Sequence, residues 1–339
     1  MPTIYQVPLL LEEQGLLNLL RTTLMLDKLT PTPALVTKGA EIWKMWKTVI
    51  SPVYTETVDI VLVGKYIELH DAYLSVIKSL EHSAMRCNRK LNLIWVDSEH
   101  LEDATQQSSP GKYHKGWHEV CTAAGVLVPG GFGQRGTEGM IKAAKWAREN
   151  KTPYLGICLG MQVSVIEYAR HMCGYTNATS EEFDTSAEHP VVIFMPEGSK
   201  DSMGGTMRLG SRSTYFQPGS EYSKLRALYG EVTVVEERHR HRYEVNPQYI
   251  EELEKAGMTF IGKDDTGKRM EIFELKDHPW YVGVQYHPEY QSRVLDPSRP
   301  YLGFVAAATG CLDRITKELL QEKNLVNGIV NGAFHSTHF

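Results

Sequence analysis

Gly156-Ile157-Cys158-Leu159-Gly160 follows an apolar run and opens a helical pattern. This is the form of a nucleophile elbow with cysteine at the reactive position. The two glycines permit a tight, strained turn that lifts the side chain above a sheet. The following helix places its positive end behind the sulfur. A free thiol titrates near 8.5, and a helix N-terminus with a nearby histidine can lower that to roughly 3.5–7.5. The backbone N–H of Leu159 would face a developing oxyanion, a contact whose loss typically costs on the order of 10²–10³ in rate. The plain alternative is a buried structural cysteine between two convenient glycines. The strand–turn–helix context favours the nucleophile.

Such a cysteine needs a base, and the base needs an orienting group. Gln285-Tyr286-His287-Pro288-Glu289 offers both at the end of an apolar strand, with Pro288 stiffening the turn. A carboxylate on the far ring nitrogen would fix the tautomer and stabilise the imidazolium. Taken alone, His-Pro-Glu also fits an ordinary surface turn. Pro129-Gly130-Gly131-Phe132-Gly133 is a glycine loop at a strand end. No Gly-Lys in the chain is followed by Ser or Thr, so it is not a P-loop. Close backbone approach to a substrate carbonyl, supplying a second oxyanion donor, is the better reading. The cluster Glu236-Glu237-Arg238-His239-Arg240-His241-Arg242 leaves three readings open. As a strand it would put the three arginines on one face and the two histidines on the other. The histidines could bind metal, the arginines could bind a carboxylate, or the whole could be a solvated edge. No third metal ligand stands at useful spacing, which argues against a metal.

The elements that must position these residues alternate in type. Val58–Val63, Leu91–Val96, Gly125–Val128 and Pro153–Ile157 read as buried strands. Between them lie helical patterns: one capped by Asp71 with Tyr73, Val76, Ile77, Leu80 and Ala84 on one face, a weaker one around Tyr113, Trp117 and Val120, and a third over Gly139–Glu149. Met161–Cys173 is a helix after the elbow. Repeated strand–helix units imply an α/β fold with a doubly wound, mostly parallel sheet, whose ligands sit at the carboxyl ends of the strands. The second half is less regular. Val191–Met195, Val232–Val235 and Arg240–Val245 read as strands, and Met270–Leu275 pairs with Tyr281–Tyr286 in a small antiparallel portion. A helix is expected over Leu312–Glu322, then a loose tail.

The first 56 residues differ. They are leucine-dense, carry Pro31 and Pro33, and hold one short helix-like piece over Glu41–Thr48. This apolar material has no core of its own: it either packs on the main domain or belonged to an interface with something absent from this chain. Domain limits of 1–56, 57–315 and 316–339 follow.

Composition narrows the function. The chain of 339 residues has 36 Lys plus Arg against 41 Asp plus Glu, a net charge of −5, which argues against nucleic acid as a partner. No apolar run approaches the ~18–20 residues of a membrane helix. Val7–Leu11 is too short for a signal peptide and contains Pro8. Five cysteines, none in CxxC spacing, suit a reducing, cytoplasmic setting.

Together, Gly156–Gln162 (GICLGMQ), Pro129–Gly133 (PGGFG) and His287–Glu289 (HPE) resemble the class I, triad-type glutamine amidotransferases. Within that class, Gly204–Gly210 (GGTMRLG), Glu237–Asn246 (ERHRHRYEVN) and Val63–Tyr66 (VGKY) resemble the CTP synthase family, and residues 4–15 resemble the end of its synthetase domain. The resemblance implies a flavodoxin-like amidotransferase fold and a glutaminase. Cys158 would attack the amide of L-glutamine, His287 would relay protons, and Glu289 would orient it. Gly131 and Leu159 would hold the oxyanion. Gly131, Leu159, Gly160, Met161, Gln162, Glu182 and Arg242 would bind glutamine. The ammonia would serve amination of UTP to CTP in pyrimidine biosynthesis. GTP is the implied activator, acting on a lid at 197–205. ATP and magnesium belong to the family's synthetase domain, which is expected to be nearly all absent here, through truncation or supply in trans. No metal or cofactor is implied for this chain. Two other readings remain: a glutaminase of another synthase, against which ERHRHRYEVN and GGTMRLG argue, and a regulatory or assembly module without independent activity.

Overall fold

The computed structural model of the protein describes residues 3–51, 54–195 and 207–322. Among the described residues twelve strands form: β1 (Thr57–Gly64), β2 (Lys90–Asp97), β3 (Gly125–Val128), β4 (Tyr154–Ile157), β5 (Ala178–Ser180), β6 (His189–Phe194), β7 (Arg208–Phe216), β8 (Val234–His241), β9 (Tyr243–Val245), β10 (Thr259–Lys263), β11 (Met270–Glu274) and β12 (Tyr281–Val284). Nine of them make one sheet in the order β2-β1-β3-β4-β12-β11-β10-β7-β8, and β5-β6-β9 make a second. From β2 to β12 the main sheet is parallel; from β12 to β8 it is antiparallel.

Strand alternation divides the core. Val61 and Val63 face one apolar cluster with Met140 and Ala144 of the helix Thr137–Glu149 and Val163 and Ile166 of the helix Leu159–His171. Ile60 and Leu62 face the other, with Val76 and Leu80 of the helix Leu74–Arg86 and Phe304 and Val305 of the helix Arg299–Ala308. A parallel sheet with both faces covered needs apolar residues at every strand position, which is why β3 and β4 are fully buried.

Several expectations shift. Asp71 caps no helix: it lies inside a 3₁₀ turn, His70–Tyr73, and the helix begins at Leu74 without a side-chain cap. The tyrosine of that turn is fixed instead by Lys65 N, which donates to Tyr73 Oη. The helix after the elbow starts at Leu159, not Met161. The expected strand Arg240–Val245 is broken at Arg242, because β8 ends in the main sheet and β9 pairs with β6 in the other. The helix Arg299–Ala308 had no counterpart in the sequence reading. It is buried nearly all round, so it shows no amphipathic stripe. A helix covers 312–322, so the expected tail boundary at 316 falls inside it.

Near the N-terminus, helices run over Val7–Glu13, Leu16–Thr23 and Pro33–Ile50. The last is longer than the expected Glu41–Thr48, because Thr32 caps it and Pro33 opens it. Ile50 is the one residue of these helices that is buried, while Leu17, Leu19, Leu24 and Leu29 are exposed. That is an apolar surface of the kind that marks contact with another body. No described helix is long and apolar enough to cross a membrane.

One buried ion pair ties the elbow helix to its neighbour. Arg148 donates to both oxygens of Glu167, whose side chain is fully buried. Removing one partner of such a pair leaves a charge without compensation. Arg148→Ala should therefore cost about 3–5 kcal/mol in urea unfolding, and Arg148→Met combined with Glu167→Leu should recover most of it. Equal losses in both variants would show that packing, not the stranded charge, dominates.

Candidate active site

Three neighbouring parallel strands build the site. β3, β4 and β12 lie side by side, with Leu127 and Val282 both in register with Leu155. Their carboxyl ends lead into the loop 129–133, Cys158 and the segment 285–289. Cys158 N donates to Val284 O at 2.8 Å, which stitches the elbow to β12 at its turning point. Cys158 itself has φ 52° and ψ −103°, a strained conformation for a residue with a side chain. It ends β4 and caps the helix Leu159–His171.

The flanking glycines answer to close packing. A Cβ on Gly156 would meet Gly160 O at 2.5 Å, and one on Gly160 would meet Val128 O at 2.0 Å. Only glycine lets the elbow press against β3. Gly130 serves the same end for the base: a Cβ there would fall 2.8 Å from His287 Cε1 and 3.5 Å from Cys158 Cβ. The imidazole thus lies between the glycine loop and the thiol.

His287 Nδ1 is 2.8 Å from Glu289 Oε1, and the ring hydrogen-bonds to Cys158. Burial alone would push the imidazole's pKa down. The Glu289 carboxylate and the bond to Cys158 outweigh it and hold His287 well above the usual histidine range. The three side chains expected to act together are therefore assembled: thiol, imidazole and carboxylate in sequence. A cavity of about 190 Å³ opens onto Cys158, His287, Gly131 and Phe132.

The glycine loop is the common neighbour of the other expected residues. Glu182 Oε1 accepts from Gly133 N at 2.7 Å. Burial raises the Glu182 carboxyl, opposed by Lys65 and Arg242. The guanidinium of Arg242 lies 5.9 Å from the Phe132 ring centre, as does that of Arg240. Gly131 packs against Leu159, the second expected oxyanion donor. Gly160 and Met161 continue the elbow helix and are buried. Gln162 is buried, and its amide nitrogen donates to Tyr243 O at 3.0 Å and Gln285 Oε1 at 3.2 Å. The expected lid, 197–205, lies outside the described residues.

Lys65 was missed as a site residue. Its ammonium donates to Phe132 O at 3.2 Å and to Gly133 O, and so holds the glycine loop from below. Burial pushes it down to about 8, against the pull of Glu182. A lysine directly after a buried strand was the available signal.

The Glu236–Arg242 cluster resolves into an edge strand with two characters. Along β8, Arg238 and Arg240 are exposed and Glu237, His239 and His241 are buried. Arg242 stands past the strand's end. A third potential metal ligand does arrive, by folding rather than spacing: Glu271 of β11 brings its oxygen within 4.8 Å of a nitrogen of His239 and of His241. However, Arg208 Nη2 already lies 3.1 Å from Glu271. A fixed guanidinium supplies the positive charge there. Burial raises Glu271 to about 8, against the pull of Arg208, and pushes both imidazoles far down.

Comparisons with known proteins agree with this geometry. The family described as Glutamine amidotransferase class-I matches residues 68–307. A CTP synthase of Neurospora crassa is 73% identical over 333 residues, covering 98% of this chain and 58% of the relative. A CTP synthase of Gibberella zeae is 62% identical over 330 residues, covering 97% and 57%. The chain thus spans a little over half the length of these relatives. Among solved structures, the glutaminase domain of Trypanosoma brucei CTPS with bound acivicin matches with a TM-score of 0.68 and 39% identity, covering 75% of this chain and 94% of that one.

The raised titration of His287 gives a signed expectation. The folded state favours the imidazolium, so this group adds stability below the ordinary value near 6.5 and loses it as pH rises through the raised value. Glu289→Gln removes the charge that sustains the shift. The ring signals of His287, followed by NMR, should then titrate at lower pH. An unmoved midpoint would mean that Glu289 orients the ring without charging it.

Proposed function

Because the chain belongs to the class-I glutamine amidotransferase family, we propose that it hydrolyses L-glutamine to glutamate and ammonia through Cys158, His287 and Glu289. The observation that carries this reading is the convergence of a strained cysteine elbow and a carboxylate-bound imidazole on one cavity. Cys158 Sγ attacks the side-chain amide carbon, with the thiol's proton carried on His287 as the imidazolium that Glu289 favours. The oxyanion meets the N–H groups of Gly131 and Leu159, preorganised by the loop and the first turn of the helix. His287 returns the proton to the leaving nitrogen, ammonia departs, and a thioester remains. Water, deprotonated by His287, then releases glutamate and restores the thiol. Glu289 keeps the Nδ1 proton toward itself, so Nε2 faces the sulfur.

Charge assigns the ends of the substrate. Arg242, steadied on the Phe132 face, suits the α-carboxylate, and Glu182 suits the α-ammonium. Leu159, Gly160 and Met161 belong to the buried first turn of the elbow helix, whose backbone would meet the amide end. Gln162 contributes by fixing the elbow helix to the Tyr243 and Gln285 backbone and amide. The likeness to CTP synthases over most of this chain supports a destination for the ammonia: amination of UTP to CTP by a synthetase portion, in cis or in trans, with ATP and magnesium bound there. The exposed leucines of the N-terminal helices fit contact with such a body. GTP belongs to the reading as an activator of glutamine hydrolysis.

Glutamate release from glutamine, with and without GTP and added synthetase portion, tests the reading. Cys158→Ala should abolish it. Arg242→Ala should lower kcat/KM by roughly 10- to 100-fold, as for a lost charge-assisted hydrogen bond, mostly through KM. Equal inactivity of wild type and Cys158→Ala under all these conditions would sink the enzyme reading and leave a binding or assembly module.

A further inference from the structure

The triad's carboxylate is held less by its own side chain than by its backbone. Glu289 Oε1 bonds to His287, but Glu289 Oε2 is buried with no hydrogen-bond partner among the described residues. Where the carboxylate points is therefore set by the turn Pro288–Gln291 that carries it. That turn is gripped by the helix Leu74–Arg86, which lies on the face of the sheet away from the elbow helix. Ser79 Oγ lies 3.3 Å from Glu289 O, which also accepts from Ser292 N at 3.4 Å. One turn of helix further, His82 Nδ1 lies 3.0 Å from Ser292 Oγ, and Ser298 N donates to the same oxygen. Residues three apart share a helix face, so Ser79 and His82 act on one side of the turn.

The other ring nitrogen of His82 faces a different part of the chain. His82 Nε2 is 2.7 Å from Tyr5 Oη. Tyr5 belongs to the segment Ile4–Gln6, whose Gln6 amide donates to Ile50 O. Its ring meets Trp46 edge-on at 6.3 Å and lies 5.8 Å from the Lys78 ammonium. Tyr5 is thus one point at which the N-terminal segment engages the amidotransferase fold. Burial, with Lys78 and Arg293 nearby, pushes His82 down to about 4, so the ring is neutral. A neutral imidazole donates from one nitrogen and accepts at the other. Its two bonds are therefore coupled: the tautomer that suits Tyr5 decides what Ser292 receives.

We propose that His82 is a positioning residue for the triad, which through Ser292 holds the Glu289 turn and through Tyr5 makes that hold depend on the docking of the N-terminal segment. The continuous observation is the hydrogen-bonded chain Tyr5–His82–Ser292–Glu289 backbone. It rests on the glutaminase reading above for its consequence, which is control of glutamine hydrolysis by whatever moves the N-terminal helices.

The test uses the full chain with Tyr5→Phe, which keeps the ring and removes one hydroxyl, and with His82→Ala and Ser292→Ala. Four quantities are read: kcat and KM for glutamate release, the NMR titration of His287 assigned through His287→Ala, and the thermal midpoint. The titratable groups facing His287 are Glu289, Cys158, His239, His241 and Tyr290, and none is altered by these variants. Tyr5→Phe and Ser292→Ala should each lower kcat by about 5- to 100-fold with KM unchanged, as for a small misplacement of a catalytic group. Both should lower the His287 midpoint while the thermal midpoint holds. His287 titration and kcat that stay at wild-type values in both variants would overturn the proposal. So would a fall in kcat that tracks thermal stability while the His287 midpoint stays fixed, because His82 would then be merely structural. If the wild type releases no glutamate, the glutaminase reading fails by itself, and the titration, which needs no turnover, still decides the coupling.

Discussion

The alignment of β4 with β12 is the constraint on which the rest depends. Tyr154 to Ile157 run in step with Tyr281 to Val284, and the next backbone bond, Cys158 N to Val284 O, fixes the elbow to the strand that delivers the base. A slip of one residue would turn successive side chains to the opposite face of the sheet. The thiol and the imidazole would then lie on different sides of it. The glycines at 156 and 160 protect this alignment by letting the elbow close on β3, and the large buried side chains of Tyr154 and Tyr281, stacked 4.5 Å apart, lock the same pair of strands at their other end. Sequence-distant chemistry is brought together here by ordinary parallel pairing.

Around that junction the loop 129–133 is held from three directions. Lys65 grips its carbonyls from below, Glu182 takes its Gly133 N–H, and two guanidinium groups cover the Phe132 ring. None of these contacts is strong by itself. Together they freeze a glycine-rich backbone that would otherwise lose much entropy on ordering. A backbone donor aimed at a transient charge is effective only if it does not have to reorganise when that charge appears.

How much of this was legible depends on whether a feature was local. The elbow, the glycine loop and the His-Pro-Glu turn each follow an apolar strand, so their place at strand ends could be read from alternation and composition. The four parallel strands before the elbow were equally plain. Features made by distant pairing were not. β7 is rich in Ser and Arg and gains its strand character from β8, so no periodic signal announces it. Glu271 reaches His239 although β10 and β7 stand between their strands in the sheet order, a contact that no spacing in the sequence announces. The break at Arg242 marks a change of sheet, which spacing cannot show. The helix Arg299–Ala308 hid because it is apolar on all sides, with Gly303 pressed against Trp280.

The outer edge of β8 shows what this arrangement does for solubility. A terminal strand normally leaves alternate carbonyls open to recruit a foreign chain. Here Glu236 O accepts from Gln291 Nε2, Arg238 O from His287 N, and Arg240 O faces the Cys158 sulfur. Every second acceptor along that border is already matched, and each partner comes from the reaction centre or the turn beside it. The machinery that handles the substrate is also the seal along the β8 border of the nine-stranded sheet.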